Sequence, residues 1–230
     1  MSALADRALA AEQMDALDLP ASDYAAVLGD LARVNGVTMA ARPTLAFLDR
    51  ARRRSRHLKI LDVGFGHGDM LRRIAHWASR RGVTTTLVGI DLNPGSAPVA
   101  RAATDSALAI DYRTGDYQAC AGEGWDVVLS SLVAHHMTKD ELTGFLRFME
   151  QEARIGWLVN DLHRHHLSHW AFPILARAMR WHRIVREDGT LSIARSYRPA
   201  EWPPLLAAAG VEGARVYRAF PFRLCVERLR

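Results

Sequence analysis

A glycine-rich loop between a predicted strand and a predicted helix is the segment best suited to bind a ligand. It reads Asp62-Val63-Gly64-Phe65-Gly66-His67-Gly68. The three glycines allow the backbone to turn sharply and to approach a ligand closely. A dinucleotide loop has the pattern GxGxxG, but here the third glycine comes one residue early, and the Asp62 carboxylate would repel a pyrophosphate. The loop therefore predicts a site for a cationic or hydroxyl-bearing ligand.

Two further carboxylates follow the next two predicted strands. Asp91, which precedes Leu92, could accept hydrogen bonds from both hydroxyls of a ribose. Asp116 could accept from an adenine amino group, and Tyr117 could pack on the ring, although Gly-Asp pairs are also common in turns. These positions predict a ligand that carries a nucleoside.

Histidines are concentrated after the fourth and fifth predicted strands. His135 and His136 follow the fourth strand, and the segment after the fifth contains His163, His165, His166 and His169. The second group contains pairs three and four residues apart, a spacing that can bind zinc or nickel. No matching acidic or thiol partner is nearby in the sequence, so we predict no metal site there and none elsewhere.

Alternating strands and helices must position these residues. Strands are predicted at 59–63, 84–92, 109–113, 125–130 and 155–160, with helices between them, and two closing strands meet tightly around Pro221. The alternation predicts a parallel sheet with helices on both faces, and the tight joint predicts an antiparallel final pair. Residues 12–50 are predicted as helices broken near Pro20 and Pro43, and a turn is predicted at Asp188-Gly189.

The composition excludes several classes of protein. The chain has 230 residues, 49% of them hydrophobic, and contains no apolar run long enough to span a membrane. Two isolated cysteines and the lack of a secretory signal lead us to expect a cytoplasmic protein. The net charge is +5, but the arginine run around Arg52–Arg54 has no interleaved aromatic residues, so we expect a solvated surface rather than nucleic-acid binding.

These motifs together resemble the class I S-adenosylmethionine-dependent methyltransferases. The resemblance covers roughly residues 57–160, continues in the closing elements after 199, and includes the segment Trp125–Ser130. It implies a Rossmann-like α/β fold with a seven-stranded, mostly parallel sheet, a reversed last strand and helices on both faces. It also implies one domain, with an N-terminal helical segment (1–56), a cofactor-binding core (57–160), a helical lid insertion (161–198) and a closing helix and strand pair (199–230).

The resemblance implies S-adenosylmethionine as the cofactor. Gly64, Gly66 and Gly68 are then expected to face its methionine portion. The complete set of expected cofactor-binding residues is Arg42, Asp62, Gly64, Gly66, Gly68, Asp91, Leu92, Asp116, Tyr117 and Ser131. Arg42 is included because an arginine in the leading helices of related enzymes often meets the methionine carboxylate.

The acceptor is expected to be a small molecule. The segment Ser130–Met137 lacks the acidic or Asn residue, the two prolines and the aromatic residue of enzymes that methylate nucleobases or protein amides, and the segments after it resemble bacterial methyltransferases of polyketide and phenolic-lipid synthesis. We predict O-methylation of a phenolic hydroxyl by a monomer or homodimer. Alternatives are C-methylation of a quinone-type ring, S-adenosylmethionine binding without chemistry, and RNA methylation.

A phenol, whose pKa is about 10, needs a base for rapid methylation. Histidine titrates in a suitable range. We predict His163 as this base, with His135 and His136 as alternates. The other interpretation of these histidines is that they only cap or hydrogen-bond within the lid.

Overall fold

One mixed sheet of seven strands forms the centre of the computed structural model, which describes residues 4–16 and 18–230. The strands are β1 (His57–Val63), β2 (Thr84–Asp91), β3 (Ile110–Thr114), β4 (Val127–Ser131), β5 (Gly156–Leu162), β6 (Arg215–Ala219) and β7 (Arg223–Leu229). Their order is β3-β2-β1-β4-β5-β7-β6. The first five strands are parallel, and β7 is antiparallel to both β5 and β6. The predicted Rossmann-like fold with a reversed last strand is confirmed.

Eight α-helices surround this sheet in the described part of the chain. They are α1 (Ala21–Val37), α2 (Ala41–Ala51), α3 (Asp69–Arg81), α4 (Ser96–Ala102), α5 (Lys139–Glu152), α6 (His166–Ala178), α7 (Arg183–Arg195) and α8 (Trp202–Ala208). None of the described helices is long and apolar enough to cross a membrane.

Apolar side chains cover both faces of the sheet. On one face, Leu61 and Val63 of β1 pack with residues of α5 and α8 such as Phe145 and Trp202. On the other, residues such as Ile60 pack with α2 and α3. Strands buried on both faces read as continuous Val, Leu and Ile runs, which explains the weak alternation in β1 and β4.

The predicted helix break near Pro43 is confirmed, but it lies a few residues before the proline. Pro43 is the third residue of α2, and the break lies at residues 38–40, where Met39 adopts a positive φ of 51°. Proline is tolerated in the first turn because the backbone N–H groups there have no partner inside the helix. The predicted break at Pro20 is confirmed, since α1 begins at the next residue.

The predicted turn at Asp188-Gly189 is wrong, because both residues lie inside α7. The Asp188 carboxylate accepts a hydrogen bond from the backbone N–H of Met14, at 3.0 Å. A Cβ atom at Gly189 would overlap the ring of Phe172 on α6. The pair therefore attaches the N-terminal segment and lets α6 and α7 pack closely, and neither role requires a turn.

Candidate active site

The glycine-rich loop has a backbone conformation that side chains rarely adopt. Gly64, Gly66 and Gly68 have φ values of 74°, 51° and 75°. A Cβ atom at Gly68 would also lie 2.5 Å from the Tyr112 hydroxyl oxygen. The loop thus needs glycine both for its left-handed backbone and for the close approach of β3.

Asp62, at the end of β1, is a buried carboxylate with no partner. Asp62 is 1% exposed, and neither of its carboxylate oxygens accepts a hydrogen bond. Burial raises the pKa of the Asp62 carboxyl well above its ordinary value, and the Asp69 and Asp91 carboxylates raise it further. Because a buried charge is costly unless it is paired, this side chain fits a cationic group of a ligand.

Asp91 connects the end of β2 to the glycine-rich loop. One carboxylate oxygen accepts a hydrogen bond from the backbone N–H of Gly66 and the other from that of Asn93, both at 2.9 Å. Each oxygen retains acceptor capacity, since a carboxylate can accept about four hydrogen bonds. Leu92, the next residue, is 72% exposed and offers an apolar surface beside this carboxylate.

The other expected cofactor residues differ in their surroundings. The exposed Asp116 accepts a hydrogen bond from the backbone N–H of Gln118 at 2.8 Å, and the Tyr117 ring packs on Phe145 and Phe148 of α5. Ser131 lies half-buried at the end of β4.

Arg42 lies at an exposed position in the first turn of α2. Its guanidinium contacts the sulfur of Met39 at 3.8 Å. The structure therefore does not bring Arg42 into the buried cleft that contains Asp62.

Helix α1 covers this cleft. Leu28 lies close to Gly66, at the distance of ordinary van der Waals contact from a Cβ built there. The Tyr24 hydroxyl is 2.8 Å from the Ser96 hydroxyl at the start of α4. The helix therefore lies over the glycine-rich loop and the loop after β2, where it can enclose a bound ligand.

The structure brings His135 and His136 together with acidic residues that sequence reasoning missed. His135 Nδ1 is 2.7 Å from an oxygen of Asp161, and His136 Nδ1 is 3.0 Å from an oxygen of Asp15. Glu12 faces both rings and is buried, and burial raises the pKa of its carboxyl to about 6. Asp161 could have been found from its place at the end of a strand, but nothing in the sequence spacing indicates Glu12 or Asp15.

His163 follows β5 and is buried in positively charged surroundings. Its ring lies 5.4 Å from that of His165, between centroids. Burial lowers the pKa of His163 to about 4, and the nearby Arg218, Arg198 and other cationic groups contribute. The imidazole is therefore neutral at physiological pH and can accept a proton or a hydrogen bond.

Two buried arginines near this end of the sheet were also missed. Arg223 begins β7, and its Nε and Nη1 atoms have no hydrogen-bond partner. Arg164 likewise has two unpaired nitrogens, although its Nη2 lies 2.5 Å from Glu201. Arg223 could have been predicted as a buried charge because it directly precedes the apolar strand residues Leu224-Cys225-Val226.

Asp62 and Arg223 lie on the same face of the sheet. Asp62 is paired with Leu129 on β4, Leu129 with Leu158 on β5, and Leu158 with Glu227 on β7, from which Arg223 is four residues away. Since side chains alternate along a strand, this register places both charges on one side.

Residues 60–156 match the family described as "Methyltransferase domain". This stretch extends from within β1 to the first residue of β5 and contains the glycine-rich loop. No curated protein matches the chain in sequence.

Solved methyltransferases share the fold. Human N-acetylserotonin methyltransferase in complex with S-adenosylmethionine has a TM-score of 0.66 and 14% identity, over 96% of this chain and 60% of that one. PigF with S-adenosylhomocysteine has a TM-score of 0.63 and 17% identity, over 96% and 63%. An O-methyltransferase of Nostoc punctiforme, described as putative, has a TM-score of 0.63 and 16% identity, over 99% and 65%. The chain thus spans less than two thirds of the length of these three proteins.

The matched family, the strand order with its antiparallel β7, and the glycine-rich loop beside an unpaired buried carboxylate all agree. Residues 60–156 therefore resemble the methyltransferase domain family, and the chain has the fold of solved methyltransferases that contain S-adenosylmethionine or S-adenosylhomocysteine.

Proposed function

We propose that the chain is an S-adenosylmethionine-dependent methyltransferase that methylates a phenolic hydroxyl group of a small molecule. The observation that carries this proposal is the surroundings of His163: a buried, neutral imidazole among Arg164, Arg198 and Arg218, just beyond the carboxyl end of β5. Ligands of open α/β sheets bind at this end of the strands.

The residues of the cleft suit the charges of the cofactor. Asp62 would hold the ammonium group of its methionine portion, and Arg223 would hold the carboxylate in place of Arg42. Asp91 would accept from the ribose hydroxyls while it keeps the loop in position, and Leu92, Ser131, Asp116 and Tyr117 are further candidates for the nucleoside. When bound, the cofactor supplies an electrophilic methyl group on a sulfonium.

The surroundings of His163 favour an acceptor that loses a proton. Burial is the largest cause of the lowered pKa of His163, and the positive potential of the nearby arginines contributes further. The same positive potential would stabilise a phenolate. His163 accepts a hydrogen bond or the proton from the hydroxyl. Because the arginines stabilise the phenolate, a less basic imidazole is sufficient. The protein's other contribution is to position the acceptor and exclude water.

Apolar residues near the same edge favour an aromatic acceptor. Trp170 of α6 is 70% exposed, and Leu167 and Ile174 of the same helix are also exposed. Phe222 lies beside His165, with ring centroids 5.5 Å apart. A pocket with apolar walls and few polar groups is typical of small-molecule sites.

C-methylation of a quinone-type ring remains the alternative, since it also needs a proton acceptor. It differs in the product, because the new methyl group is bonded to carbon. A protein that binds the cofactor without chemistry would give no methylated product at all. RNA methylation predicts RNA binding that weakens steeply with salt.

The test is incubation with isotope-labelled S-adenosylmethionine and a panel of phenols, quinones and amines, followed by mass spectrometry. We expect labelled methyl on a phenolic oxygen, and His163→Ala should reduce it strongly. His76→Ala, on an exposed face of α3, is the control. Label on carbon or nitrogen alone would contradict the proposed reaction.

A further inference from the structure

Glu12, His135 and His136 form a cluster that methyl transfer with His163 as the base does not require. His135 Nε2 lies 3.7 Å from one Glu12 oxygen, and His136 Nε2 lies 3.8 Å from the other. One ligand atom from each residue falls within 4.8 Å of the others. Among the described residues, this is the one set of three His, Cys, Asp or Glu side chains with that geometry.

The distances are too long for hydrogen bonds and close to those of atoms that share an ion. Hydrogen bonds between nitrogen and oxygen have lengths of about 2.7–3.2 Å. Two ligand atoms that each lie about 2.1 Å from a tetrahedral ion are about 3.4 Å apart. Because the three ligand atoms lie within 4.8 Å of one another, a contraction of at most about 1.4 Å would bring all three groups to coordination distance.

A carboxylate fixes the far side of each imidazole. Asp161 lies 2.7 Å from Nδ1 of His135, and Asp15 lies 3.0 Å from Nδ1 of His136. An Nδ1–H that donates to a carboxylate leaves the lone pair on Nε2, the atom that faces Glu12. Metal-binding histidines are held in this way, since the carboxylate sets both the tautomer and the ring orientation.

The charge of the cluster also suits a cation. Three carboxylates, Glu12, Asp15 and Asp161, surround the histidines. Two guanidinium groups lie nearby: Arg195 Nε is 3.8 Å from Glu12, and Arg7 Nη2 donates to the carbonyl oxygen of His135. Arg195 also donates from Nε and Nη2 to the backbone carbonyls of His135 and His136. With neutral histidines, a net negative charge is left, which favours a bound cation.

We propose that Glu12, His135 and His136 bind a divalent first-row transition-metal ion, with Zn²⁺ as the best-suited ion. Two imidazoles and one carboxylate are a common zinc ligand set. Glu12 and His135 are each 3% exposed, while the half-buried His136 gives the ion a path from solvent. The ion ties the N-terminal segment (residues 4–16) to the loop after β4, a role independent of which acceptor is methylated.

The test is metal binding by the full chain after removal of metals with a chelator and dialysis. Zn²⁺ titrations by calorimetry measure affinity and stoichiometry, and Co²⁺ absorption bands report the ligand geometry. We expect one bound ion per chain and a higher melting temperature with Zn²⁺. Absence of stoichiometric binding to the wild-type chain would overturn the proposal.

Variants locate the ion. Glu12→Gln and His136→Ala should weaken binding by at least about 100-fold, and Asp15→Asn should weaken it by about 10- to 100-fold, because it releases the His136 ring. The control is the double variant His165→Ala, His169→Ala. It removes two of the histidines that follow β5 and should bind Zn²⁺ normally.

If the control lost Zn²⁺ binding and His136→Ala retained it, the ion would be bound by the histidines that follow β5, and the proposal would be overturned. Wild-type affinity in Asp15→Asn would contradict the role of that carboxylate. Binding of S-adenosylhomocysteine confirms that each variant is folded. His136 and Asp15 are only partly buried, so these two variants keep the test decisive if Glu12→Gln does not fold.

Discussion

The Asp91 carboxylate accepts a hydrogen bond from the backbone N–H of Gly66 at 2.9 Å. This bond joins the end of β2 to the middle of the glycine-rich loop. Asp91 thus shapes the loop as well as facing the cleft, and the two roles share one side chain.

Asp91→Asn should weaken S-adenosylhomocysteine binding by about 10- to 100-fold, because hydrogen bonds to a charged group contribute about 1.5–3 kcal/mol. An amide has one oxygen and cannot accept from both Gly66 and Asn93. Calorimetry measures the change. Asp105→Asn is the control, since Asp105 also accepts from a backbone N–H two residues later, in an exposed turn. Equal affinities in the two variants would contradict this role.

Asp62→Asn should weaken cofactor binding and stabilise the ligand-free protein. The folded state raises the pKa of Asp62, so it binds a proton more tightly than the unfolded chain does. The free energy of unfolding from this group is therefore highest at low pH and falls as pH rises through the folded-state pKa.

Denaturant unfolding of the wild type and Asp62→Asn across this pH range measures the effect. The difference in stability between the two should grow as pH rises. A wild type that stays as stable as the variant at high pH, with unchanged cofactor affinity, would show that the carboxylate has another partner.

The pH profile of methyl transfer should reflect the lowered pKa of His163. If a neutral His163 is required, kcat/KM decreases only as pH falls toward about 4, the pKa of His163. An ordinary histidine would lose activity near pH 6.5. A midpoint near 6.5 that persists in His163→Ala would assign the titration to another group.

Gly189→Ala should destabilise the protein by about 1–3 kcal/mol, because the methyl group would overlap the Phe172 ring. Phe172→Leu should recover part of the loss when combined with it. Gly144→Ala is a matched control, since a Cβ there meets nothing within 4 Å and alanine favours a helix by about 0.5–1 kcal/mol. Thermal unfolding measures all four variants, and additivity of the two packing changes would contradict direct contact.

The sequence predicted the sheet and the glycine-rich loop because both depend on local patterns. Strands alternate with helices, and glycines follow a strand at a fixed spacing. The same reasoning placed a turn at Asp188-Gly189, where the structure uses the aspartate to hold Met14 and the glycine to admit Phe172. Local propensity cannot show that a distant residue will occupy the space.

The acidic partners of the histidines were not predictable for a similar reason. Glu12 and His135 are far apart in the sequence and meet only because the N-terminal segment crosses the end of β4. Arg7 helps to hold this segment, since its guanidinium lies over the Tyr197 ring at 3.8 Å and donates to the carbonyl oxygen of His135. Long-range contacts of this kind carry no periodic signal.

Methyl transfer from S-adenosylmethionine to a phenolic oxygen is tested most directly with isotope-labelled cofactor. The chain is incubated with cofactor carrying a trideuterated methyl group and with a panel of phenols, and products are located by mass spectrometry and NMR. We expect a deuterated methyl ether whose yield is strongly reduced in Asp62→Asn and His163→Ala. Cofactor binding without any labelled ether, across the panel, would contradict it.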